Sequence, residues 1–147
     1  MEEKEFKKAY RSINDAPCIF AKAILRRCCA CSRSQKLFIA EREAIACKSP
    51  GGRQRCEEVL NVLHSKASFA LKLAQIDAPL PHAKELKVQC GGMLGLQESL
   101  KRQKTEIVAD IHQLLEQSFE EYGSAEALPY TEVIRTIASF LPRKKRE

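Results

Sequence analysis

The side chains with the most chemistry to offer are thiols. The 147-residue chain carries seven cysteines, Cys18, Cys28, Cys29, Cys31, Cys47, Cys56 and Cys90. An odd number argues against a fully paired disulfide framework. The opening Met-Glu-Glu-Lys-Glu-Phe-Lys-Lys offers no apolar core of an export signal. The compartment expected from this is the cytoplasm, which is reducing and keeps thiols unpaired. Three uses of so many thiols then stay open: ligation of a metal or iron–sulfur cluster, redox chemistry, and burial as small apolar groups.

Spacing separates these uses only in part. Cys28-Cys29-Ala30-Cys31 contains one C-x-x-C, without the second that marks a paired zinc site. No C-x-x-C-x-x-C run of the ferredoxin type occurs. Arg26, Arg27, Arg33 and Lys36 flank these cysteines and favour the thiolate form, which serves ligation and oxidation alike.

The remaining candidates read as structure. His64, His82 and His112 stand in no H-E-x-x-H or E-x-x-H arrangement, and of the three His82, between two prolines and Cys90, is best placed to be a ligand. Gly91-Gly92-Met93-Leu94-Gly95 lacks the Lys-Ser/Thr of a phosphate loop and reads as a close-packed turn. The carboxylate pairs Glu41/Glu43, Glu57/Glu58 and Glu120/Glu121 read as helix surface. With no acid, base or nucleophile constellation in view, the sequence does not point to an enzyme.

The net charge is +6, and the densest basic stretch has nine Lys or Arg between Lys22 and Arg55. Such a face can attract an acidic protein or nucleic acid. Only Phe20 and Phe38 lie in it as platforms for base stacking, so a protein partner fits better than nucleic acid. No apolar run reaches the ~20 residues of a membrane span.

The elements that must position the thiols read as helices. Ala, Leu, Lys, Glu and Gln dominate, and breakers are sparse, with Gly and Pro numbering 6 each. Helices are expected over 3–13, over 18–49 with a break at the polar gap 32–36, over 53–75 and over 93–103. A further amphipathic helix carries Ile107 to Phe119 and stops at Gly123, and a last one carries Val133 to Phe140. Asp15 is an N-cap candidate with Pro17 in the first turn, and 76–91 reads as a loop. The expected fold is therefore all-α: a single domain over 1–147, a bundle of four to five main helices, with a short N-terminal segment 1–15 and a basic tail 143–147.

Unbroken, a helix over 18–49 would be about 45 Å long, too long for so small a domain. Folding back at 32–36 returns Cys47 beside Cys18, and Cys56 joins them across the next turn. Cys90, on the expected loop, can supply a fourth thiolate. The same geometry leaves Cys31 at the opposite end. The order C-x12-C-x15-C-x8-C of Cys18, Cys31, Cys47 and Cys56, followed by Cys90-Gly91-Gly92-Met93-Leu94-Gly95-Leu96, resembles small cysteine-bearing helical proteins of bacteria that have no assigned role. The resemblance covers 16–100 and nominates Cys18, Cys31, Cys47, Cys56 and Cys90 as metal ligands. The function expected is a non-catalytic protein that binds an iron–sulfur cluster or zinc through these thiolates, in electron transfer or redox sensing beside a partner. The alternative is a helical adaptor with buried, reduced cysteines and a basic face for an acidic protein or nucleic acid.

Overall fold

A computed structural model describes residues 14–71 and 80–142. The helix expected over 3–13 and the basic tail 143–147 lie outside the described residues. The order is α1 (Ala21–Leu25), β1 (Ser34–Ile39), β2 (Arg42–Cys47), α2 (Pro50–Ala67), α3 (His82–Leu86), a π-helical turn (Lys87–Gly91), α4 (Gly92–Lys101), α5 (Ile111–Tyr122) and α6 (Tyr130–Ser139).

The all-α expectation is overturned. The described chain is 54% helical but also holds a two-stranded antiparallel sheet, so the fold is mixed α and β. The sheet lies inside the stretch read as helix over 18–49. Its strands pair from Ser34 with Cys47 to Ile39 with Arg42, leaving Ala40 and Glu41 as a two-residue turn. Both turn residues have left-handed φ, 52° and 71°. That is the geometry a tight hairpin demands, and it normally calls for Asn-Gly or Asp-Gly. Burial of Ile39, Ala44 and Ile45 outweighs the helix preference of the residues around them. The polar gap at 32–36 does not bend a helix; it contains the start of β1.

Helix α2 begins at Pro50, earlier than expected. Ser49 is its N-cap, its side chain accepting from the Gly52 N–H at 3.1 Å, and Pro50 sits where a missing N–H costs nothing. The helix ends at Ala67 rather than at residue 75. The loop expected over 76–91 is corrected from residue 82 onward, where α3, the π turn and α4 run on without a gap. Asp15 and Pro17 do not open a helix either: Pro17 is extended and bridges to Ala46.

The core gathers Val59, Leu60 and Leu63 of α2, Met93, Leu94 and Leu96 of α4, Ile111, Leu114 and Leu115 of α5, and Val133 and Ile137 of α6. The expected close packing at Gly91 and Gly95 is present. A Cβ on Gly91 would stand 2.7 Å from Ile137 Cα, and one on Gly95 3.0 Å from Val133 Cα. Gly123 closes α5 with φ 99°, as its position implied. Among the described residues no helix is long and apolar enough to cross a membrane.

Candidate functional site

Four of the five nominated cysteines line one small cavity of about 20 Å³: Cys18, Cys31, Cys47 and Cys56, with Ile19, Phe20, Ile111, Ser34, Arg33 and Arg53 as the other walls. Each arrives on a different piece of chain, and backbone bonds fix each piece to the next. The Cys18 N–H donates to Ile45 O at 2.9 Å and the Cys47 N–H donates to Ala16 O at 2.8 Å, so 16–18 runs along β2 and sets Cys18 beside Cys47. Ser34 pairs with Cys47 across the hairpin, and its N–H donates back to Cys31 O at 3.2 Å. Cys56 rides on α2, about two turns beyond the Ser49 cap.

Cys31 is the correction at this site. The helical fold-back placed it at the far end, whereas the hairpin brings it in. The segment 28–32 is strapped to 108–111 by four bonds: Val108 N–H to Cys28 O, Ala30 N–H to Val108 O, Ile111 N–H to Ala30 O, and Ser32 N–H to the Asp110 carboxylate. Asp110 also caps α5 through the His112 N–H at 3.0 Å. Burial raises the Asp110 carboxyl, but these N–H donors outweigh it and hold the group below its usual range. Nothing in the local sequence marks Asp110 as the anchor of Cys31, because the two lie far apart along the chain.

Burial dominates the electrostatics. It pushes the Cys18 thiol up to about 11, with Cys31 and Cys47 adding to the rise, against the Phe20 N–H and the Arg53 charge. It pushes Cys56 up to about 12, with Cys18, Cys31 and Cys47 adding and Arg55 opposing. Both groups are neutral thiols near pH 7. The Cys47 thiol donates to Ser49 O at 3.3 Å. Among the described residues no group of three or more His, Cys, Asp or Glu side chains stands ready-made to hold a metal ion. The thiols share a cavity without already forming a ligand sphere.

Cys90 is elsewhere. It is fully buried in the π turn, not exposed on a loop, and it is bonded to Cys28 in a disulfide across 62 residues. The reduced state expected of every cysteine therefore does not hold for this pair. Cys29 lies beside it, with its sulfur 3.6 Å from that of Cys28. Burial, with help from Cys18 and Cys31, raises the Cys29 thiol to about 12. His82 is exposed at the start of α3 and does not line the thiol cavity. His64 pairs with Glu85 at 2.8 Å and His112 with Glu116 at 3.6 Å, the structural roles expected of them.

No protein-family model matches the chain, and no curated protein or solved structure matches it.

Proposed function

We propose that this protein binds a single metal ion, zinc or iron, through the thiolates of Cys18, Cys31, Cys47 and Cys56. The observation that carries the reading is the convergence of four thiols, from four separate stretches of chain, on one cavity. Four thiolates are the preferred tetrahedral set for either ion. A cavity of about 20 Å³ has room for one water-sized occupant. That favours a mononuclear ion over an iron–sulfur cluster, which would have to push the walls apart. Arg33 and Arg53 on the wall offset the net negative charge of a divalent ion with four thiolates. Closure of the site requires the four sulfurs to draw together on the ion, and for Cys47 this gives up its bond to Ser49 O. With zinc the centre pins the hairpin to α2 and opens when its thiolates are oxidised. With iron it carries one electron.

The test is metal analysis of protein purified without air, followed by titration of the metal-free protein with Co²⁺ as a spectroscopic stand-in. One equivalent giving thiolate-to-metal charge transfer and a tetrahedral visible spectrum is expected. Cys18→Ser, Cys31→Ser, Cys47→Ser and Cys56→Ser should each weaken binding strongly, and Cys29→Ser should leave it intact. Absence of stoichiometric binding would sink the proposal. So would acid-labile sulfide in the purified protein, which would mean a cluster instead.

A further inference from the structure

The disulfide opens onto a second feature, unconnected with the four-thiol cavity. A groove of about 570 Å³ is walled by Arg26, Arg27, Cys28, Leu94, Phe140 and Leu141. Thr105 and Glu106 complete its rim. Two guanidinium groups against one carboxylate make the groove electropositive. Arg26 is held by Pro142, whose carbonyl accepts from its Nε at 3.1 Å. Arg27 is far more exposed, reaching no nearer than 4.0 Å to Glu43. Its backbone φ of 70° is left-handed, an unfavourable state for a residue with a Cβ, and it is this turn that presents Cys28. The two residues of the disulfide differ in exposure, although both are buried and the Cys28 sulfur lies 3.4 Å from Ala23 O. Cys28 is 9% exposed and borders the groove, whereas Cys90 is at 0%. Cys90 also sits in a π turn, a distortion frequent at functional sites.

We infer that this groove is a thiol–disulfide exchange site for a small thiol bearing carboxylates. The carboxylates meet Arg26 and Arg27, and the thiol sulfur reaches Cys28. The incoming thiol forms a new S–S bond to the Cys28 sulfur, the Cys28–Cys90 bond breaks, and the Cys90 sulfur leaves with the proton that the incoming thiol gave up. A second molecule of the same thiol attacks the mixed disulfide at the small-molecule sulfur. It departs as the small-molecule disulfide and leaves Cys28 as a thiol. Two small thiols are oxidised by one bond, and one protein disulfide is reduced to two thiols. Attack at Cys90 is blocked by burial, so the order of events is fixed by access.

The experiment exposes air-oxidised protein to reduced glutathione, to the neutral thiol 2-mercaptoethanol and to the cationic thiol cysteamine. Samples are quenched with acid and mapped by mass spectrometry. Rates are corrected for the thiolate fraction of each reagent. A single transient adduct on Cys28 is expected, with glutathione about tenfold faster than the neutral thiol at low salt and the advantage fading as salt rises. Arg26→Gln and Arg27→Gln should remove most of that advantage, and should slow 2-mercaptoethanol, whose attacking thiolate carries a single charge, much less. Cys90→Ser, treated with oxidised glutathione, should trap the mixed disulfide on Cys28. If that variant fails to fold, judged by circular dichroism, the arginine variants decide. An adduct first on any other cysteine, equal corrected rates for the three thiols, or oxidised protein in which Cys28 and Cys90 are not linked would overturn the inference. None of these outcomes depends on whether the four-thiol cavity takes up metal.

Discussion

At the scale of single residues, each thiol at the cavity has to lose a proton before it can bind a metal. Cys18 and Cys56 hold theirs up to about 11 and about 12, respectively. Metal uptake by these two alone therefore releases two protons at neutral pH. Apparent affinity should rise by at least about two decades per pH unit while the pH stays well below both values. The measurement is a competition titration at several pH values between 6 and 8, with proton release read by calorimetry in buffers of differing ionisation enthalpy. A flat profile would mean that the ligands are not these protonated thiols. The same shifts act oppositely on the metal-free protein. A thiol raised above its unfolded value of about 9 contributes stability that is present below that pH and declines as pH rises through the folded value. Metal-free protein should lose stability in mild alkali, and metal-loaded protein should not.

At the scale of elements, the hairpin decides which thiols meet, and it was the least legible part of the chain. Breakers, caps and apolar periodicity located α4, α5 and α6 to within a few residues, because each buries one stripe and carries its own stop. Residues 34–47 offer few strand signals beyond Phe38, Ile39 and Ile45. Ala40 and Glu41 stand where a tight turn wants glycine or asparagine, and Gln35, Lys36, Ala44 and Ala46 are no strand formers. What makes the strands is tertiary: Ile39 and Ile45 are buried, and 16–18 pairs along β2. The helical reading puts Cys31 at the wrong end for that reason, and only the resemblance nominates it as a site residue. The disulfide partner of Cys28 was equally hidden, since Cys90 comes within reach only through the packing of the π turn. The strained turn yields a prediction. The double change Ala40→Asn and Glu41→Gly should raise the thermal midpoint, gaining about 1–2 kcal/mol from the two left-handed positions. It should leave metal binding unchanged. A loss of stability would show that the turn's φ angles are not those described.

At the scale of the whole molecule, one half-buried polar chain ties three helices together. His64 on α2 meets the Glu85 carboxylate on α3 at 2.8 Å, and Gln89 in the π turn donates to the other Glu85 oxygen at 2.9 Å. Gln89 in turn accepts from the Ala23 N–H of α1 at 3.1 Å. Through this chain the short helix beside the thiol cavity is fastened to the segment that carries Cys90. Burial raises the Glu85 carboxyl, but the bonds from His64 and Gln89 and the charges of His64 and Lys22 win, leaving it below its ordinary value of 4.5. A carboxyl lowered by folding contributes stability that is fully present above its unfolded value and is lost as pH falls through the folded one. The network should therefore loosen below about pH 4.5. Glu85→Gln removes the ionisation and keeps much of the shape. Denaturant unfolding followed at pH 7, 5, 4 and 3 should find the variant less stable than the parent at pH 7 and the gap narrowing toward pH 3. Parallel curves would show that Glu85 contributes nothing through its charge, and that apolar packing alone holds α1 to the π turn.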